Sequence, residues 1–157
     1  MEPHGSPLEK LWTAARMKFD GLCRRLEADE ALALSHSEVE ATLQADGFEV
    51  LRLLFQDHLA LRSAREARLM EPVVGSDGVA RTHVREQARD LETLFGTVEV
   101  TRLGYGRPGV DSLHPLDAGL NLPPERYSLG LRRRLAVAAS AGSFDAAPSA
   151  PSGGTHD

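Results

Sequence analysis

The chain has 157 residues, a hydrophobic fraction of 41%, an aromatic share of 5% and a formal charge of −5. That length suits one ordinary domain with tails, and a single cysteine, Cys23, excludes an internal disulfide and a cysteine-based zinc cluster. No apolar run approaches the ~18 residues that span a bilayer, and Met1–Lys10 lacks the charged-then-apolar order of a signal peptide, so a cytoplasmic protein with no membrane partner is expected.

Residues 1–7 read as a flexible lead-in. Leu8, Leu11, Trp12, Ala15, Phe19, Leu22 and Leu26 recur at helical spacing and predict an amphipathic helix over Leu8–Leu26. Gly21 weakens it by about 1 kcal/mol relative to alanine. Ser37-Glu38-Val39-Glu40 has capping-box form, with Ser37 as N-cap. The stripe Val39, Leu43, Leu51, Leu54, Phe55 and Leu59 then predicts a helix over Glu38–Met70. Asp46-Gly47 is a kink or a joint between two helices, His58 a partly buried core histidine, and Pro72 the stop.

Val73-Val74, Gly75-Ser76-Asp77-Gly78 and Val79–Val84 read as a hairpin, since glycine and aspartate supply the positive φ of a tight turn. Arg85, Glu86, Arg89, Asp90 and Glu92 read as a solvated connector. Val98 and Val100 alternate with Thr97, Glu99 and Thr101, the pattern of a half-buried strand. It would complete a three-stranded antiparallel region over Val73–Leu103, packed on the long helix. Gly104, Gly106, Pro108 and Gly109 end it. Leu113–Leu116 reads as extended, and Pro115, Pro123 and Pro124 exclude helix until after Pro124. Ser128 then caps a helix over Ser128–Ala141, ending near Gly142, with Arg132, Arg133 and Arg134 on one side. Ser143 could cap another helix, but Pro148 and Pro151 stop it, so residues 143–157 read as a disordered tail. The fold class expected is α+β, with one region over residues 8–142.

Thr93–Arg107 (TLFGTVEVTRLGYGR) is followed by Ser112–Pro123 (SLHPLDAGLNLP), Tyr127-Ser128, Leu131–Ala136 (LRRRLA) and Gly142–Asp145 (GSFD). In this order the segments resemble the N-terminal region of bacterial insertion-sequence transposases of the ISKra type, over roughly Glu38–Asp145. The resemblance implies DNA transposition of a mobile element by a protein several times larger. It implies that the helices near Ser128 and Ser143 open a helix-turn-helix whose recognition helix would come next. It also implies that the catalytic carboxylates lie beyond the matched region. The change of composition after Asp145 is what truncation or a frameshift would produce.

Strand-transfer enzymes hold two metal ions with carboxylates on buried strands. After the long helix the carboxylates weighed for that role are Asp77, Asp90, Asp111 and Asp117, in a turn, a charge run and a proline-punctuated loop. No catalytic residue is therefore assigned, and no enzymatic activity is expected. His83 and His114 are too few for structural zinc, so no metal and no cofactor are expected. Charge is unevenly placed: Met1–Met70 carries 9 basic and 12 acidic residues, whereas Arg102–Arg134 carries 6 arginines against Asp111, Asp117 and Glu125. Arg126, Arg132, Arg133 and Arg134 are the candidate phosphate contacts, because the arginine fork matches phosphate oxygens; a solvated helix face is the competing reading. Two functions follow. One is a truncated, accessory transposase fragment with weak, non-specific DNA affinity. The other is a protein-interaction module that forms a homo-oligomer or binds and inhibits a full-length transposase.

Overall fold

A computed structural model describes residues 7–145. In chain order it has a 3-10 turn at Pro7–Lys10, then α1 (Thr13–Glu27), α2 (Asp29–Leu32) and α3 (His36–Ala64). A two-stranded ribbon follows, β1 (Val73–Val74) with β2 (Ala80–Arg81). The main sheet is β3 (His83–Thr93), β4 (Gly96–Arg107) and β5 (Val110–Leu113). The chain closes with α4 (Pro115–Gly119) and α5 (Leu129–Asp145). The fold is α+β, and both the ribbon and the main sheet, in order β3-β4-β5, are antiparallel.

The first helix begins at Thr13 rather than Leu8. Trp12 holds φ 71°, a conformation that a bulky residue adopts only under constraint, and its N–H donates to Oδ2 of Asp57 on α3 at 2.7 Å. The chain offers two overlapping Ser-x-x-Glu frames, and the helix uses the earlier one. Ser35 caps α3 through the N–H of Glu38, and the Glu38 carboxylate accepts from the Ser35 N–H at 2.8 Å, in place of the expected Ser37 and Glu40. Those Ser35 donors hold the Glu38 carboxyl below its usual range. Asp46-Gly47 is no joint: α3 continues unbroken through it, and Asp46 is paired with Lys18 and Arg25 of α1. His58 is exposed rather than in the core. The helix stops at Ala64, short of Met70, because the sheet draws the next residues away. Glu66 accepts from the Leu103 N–H at 2.9 Å, and the Tyr105 hydroxyl accepts from the Leu69 N–H at 2.8 Å.

The largest departure from expectation is β3. The charged run Arg85–Glu92 is a strand paired with β4 residue for residue, from His83 opposite Gly106 to Thr93 opposite Gly96. The Val73–Val84 hairpin stays a separate ribbon, and β5 supplies the third strand instead. A two-residue turn, Leu94-Phe95, joins β3 to β4. Thr93 Oγ1 donates to the Gly96 carbonyl and accepts from the Phe95 N–H, while Gly96 takes φ +123°, which favours glycine.

Helix α3 lies along the stretch of β4 that β5, paired only with Tyr105–Arg107, leaves open. The Gln56 side chain acts as one residue of a missing strand, donating to the Glu99 carbonyl at 2.9 Å and accepting from its N–H at 2.8 Å. Arg52 donates to the Thr97 carbonyl at 3.4 Å. An edge satisfied in this way is closed to further strand pairing. The core contains Leu59 of α3 with Leu91, Val98 and Val100, flanked by Phe55, Leu120 and Leu122. Leu120 and Leu122 come from the α4 segment. Helix does form there despite the prolines, because Pro115 sits in the first turn, where its missing N–H costs nothing. Two arginines on the Leu91 face reach this cover: Arg102 pairs with Asp117 at 3.1 Å, and Arg89 donates to the carbonyls of Pro123 and Pro124.

Candidate functional site

The four arginines predicted to meet phosphate are brought together at the start of α5. Arg126–Ser128 run beside the outer edge of β3. The Glu92 N–H donates to the Arg126 carbonyl, the Ser128 N–H donates to the Glu92 carbonyl, both at 2.8 Å, and Tyr127 bridges in parallel to Glu92. Ser128 caps α5, as expected, by accepting the Leu131 N–H at 3.1 Å. From Arg132 to Gly142 every residue is exposed, including Leu135 and Val137. The helix does not end at Ala141. It continues unbroken through Gly142 to Asp145, so the second helix expected from Ser143 is part of α5. The remainder of the expected tail lies outside the described residues.

Two of the four arginines are engaged within the chain. Arg126 Nη2 pairs with Glu92 Oε1, and Arg132 Nη1 with Glu125 Oε2, each at 2.8 Å. Exposed pairs of this kind contribute only about 0.2–1 kcal/mol, so a phosphate can compete for either cation. Arg133 and Arg134 are exposed and have no ion pair among the described residues. The site offers charge and fork geometry, without base-reading side chains set in a rigid frame.

Two of the carboxylates weighed for metal binding are committed to arginines. Asp77 takes two hydrogen bonds from Arg81, at 3.0 and 2.8 Å, and this pairing lowers its carboxyl to about 2. Arg81 is buried and also donates to the carbonyls of Val79 and Asp111. Asp117 holds Arg102. Among the described residues no three His, Cys, Asp or Glu side chains are placed to hold a metal ion.

Two further surfaces stand out: one on the Trp12 and Phe19 face, whose residues the sequence reads as core or partner-facing, and one that sequence reasoning missed. The first is apolar. Phe19, 55% exposed, borders two shallow hollows between α1 and α3, one beside Trp12 and Leu54, the other beside Leu43 and Leu51. The second is a hollow of about 440 Å³ at the open end of the main sheet, whose lining includes His83, Arg85, Gly104, Gly106, Arg107 and Ser112. Its signal was the Gly104-Tyr105-Gly106 spacing, read only as a strand end. Beneath it the Gln87 amide bridges His114 and Arg85. Assigned from the hydrogen-bond network, its NH2 donates to His114 Nε2, and its oxygen accepts from Arg85 Nε and Nη2 at 2.8 and 3.1 Å. Burial, with help from Arg102, pushes the His114 pKa down, keeping the ring neutral and Nε2 free to accept.

Comparison with protein-family models, with curated proteins and with solved structures gives no match for the chain.

Proposed function

We propose that this chain is a non-catalytic, accessory region of an ISKra-type transposase that touches the DNA backbone through the first turns of α5. The observation that supports this reading is the pair Arg133 and Arg134, exposed and free of ion pairs among the described residues, next to Arg126 and Arg132 in weak exposed pairs. Four guanidinium groups on one helix start suit a track of phosphates and carry no sequence information by themselves. A cytoplasmic location accompanies that role; among the described residues no helix is long and apolar enough to cross a membrane.

The test is duplex binding at several salt concentrations. Each phosphate contact contributes about −0.9 to the slope of log K against log salt. The Arg133→Ala/Arg134→Ala double variant should therefore weaken binding to every duplex alike and flatten the slope by about 2. An unchanged slope rejects the reading.

A second reading, a module that pairs with another protein chain, is favoured by the exposed apolar side chains of α1 and α3 around Phe19. Sedimentation distinguishes it: a concentration-dependent dimer lost in Phe19→Ala and indifferent to DNA supports the interaction module.

A further inference from the structure

We propose that the hollow at the open end of the main sheet binds a phosphoryl group, with Arg85 and Arg107 as its cationic contacts and His83 and Ser112 as further donors. Every polar side chain in its lining can donate, and no carboxylate lines it. In a chain of net charge −5 that is a local inversion of sign. The opposite face of the same sheet carries Glu86, Asp90 and Glu99, all exposed, so an anion is steered to one side only.

The arginine is oriented in advance. Nε and Nη2 of Arg85 are held by the Gln87 oxygen, whose amide is fixed in turn by His114. Nη1 has no partner among the described residues and keeps its donors for a ligand. This is a guanidinium held by a second residue that itself cannot rotate, the arrangement that reduces the ordering cost of binding. Gly104 makes the support possible. A Cβ there would lie 2.5 Å from the end of the Gln87 amide and 3.2 Å from His114 Nε2, so any larger residue breaks the chain that positions Arg85. Gly106, opposite His83, leaves the floor without a side chain where Ser112 Oγ crosses it. Arg107 closes the rim with no ion pair among the described residues.

The site is independent of α5. Glu92, which anchors the start of that helix, is nine residues from His83 along β3, or about 30 Å at ~3.3 Å per residue. The oxyanion could be free phosphate or the phosphodiester of a nucleic-acid strand, and the chemistry is shared.

The experiment is an NMR titration of the full chain, isotope-labelled, with inorganic phosphate against chloride at equal ionic strength. Saturable shifts are expected at His83–Arg85 and Gly104–Ser112 and not along α5. The Arg85→Gln/Arg107→Gln double variant, which removes exposed side chains and leaves the fold intact, should bind at least 10-fold more weakly. Gln87→Leu keeps both charges and should still lower affinity several-fold, separating orientation from net charge. A labelled single-stranded oligonucleotide forms the second arm. Binding that inorganic phosphate competes away assigns the hollow to a phosphodiester, and binding of inorganic phosphate alone assigns it to the free ion. The proposal is overturned if neither ligand gives saturable shifts at the hollow, or if the double variant binds like the native chain. It is also overturned if inorganic phosphate gives no shifts at the hollow and oligonucleotide binding depends on Arg133 and Arg134 but not on Arg85 and Arg107, a result that leaves the α5 reading standing.

Discussion

Replacing Gln56 tests whether a side chain really substitutes for a strand at the edge of β4. Its amide makes two hydrogen bonds to the backbone of Glu99, at 2.9 and 2.8 Å. A neutral hydrogen bond contributes about 0.5–1.5 kcal/mol net, and both bonds are partly open to water, so their sum should fall near 1–2 kcal/mol. Gln56→Ala should therefore lower Tm by about 3–6 °C for a chain of this size. Alanine is the better helix former, so the loss cannot come from helix propensity. Gln56→Glu keeps an acceptor for the Glu99 N–H but sets a carboxylate against the Glu99 carbonyl, and should destabilise at least as much at pH 7. The assay is thermal unfolding, paired with hydrogen exchange at the Glu99 amide, which should lose its protection while Leu91 and Val98 keep theirs. Gln44→Ala, an exposed glutamine on the same helix, is the control. The reasoning fails if Gln56→Ala unfolds with the control and the Glu99 amide exchanges at its native rate.

Other consequences are equally direct. Ser35→Ala should cost about 1 kcal/mol in chemical denaturation and Ser37→Ala only a few tenths, because the capping box belongs to the first Ser-x-x-Glu frame. The Asp77 carboxyl should titrate near 2 in carbon-detected NMR and rise in Arg81→Ala toward, but not fully to, the free value of about 3.9, because the Val79 N–H still donates to it. Since its folded pKa lies below its unfolded one, the stability it contributes is present above about pH 4 and is lost as pH falls toward 2. Glu99 lies directly opposite Asp90 on the exposed sheet face. Glu99→Lys exchanges a like-charge pair for an opposite one and should raise stability by about 0.5–1 kcal/mol; an unchanged midpoint at low salt refutes that pairing.

What the sequence by itself determined is what short-range physics determines. Apolar residues three and four apart made α1 and α3 legible, alternation at Val98 and Val100 made β4 legible, and Ser128 marked the start of α5. Each of these signals is complete within a dozen residues. The α+β class follows from them, because helices and a sheet in one chain must bury their apolar faces together. The arginines of α5 were visible for the same reason, as neighbours in sequence.

Tertiary structure decided the rest. Arg85–Glu92 has no apolar alternation, since its inward positions include Gln87 and Arg89, whose polar ends find partners only in His114, Arg85, Pro123 and Pro124. A strand written with polar residues inside is indistinguishable from a connector until those distant partners are in place. The same applies to the end of α3, which Leu103 and Tyr105 set from across the fold, and to Gln56, an ordinary helix residue until β4 arrives. Between Ser35 and Ser37 the local pattern is degenerate. The hollow of Arg85, Arg107 and His83 exists only because antiparallel pairing sets residues some twenty apart side by side over two glycines.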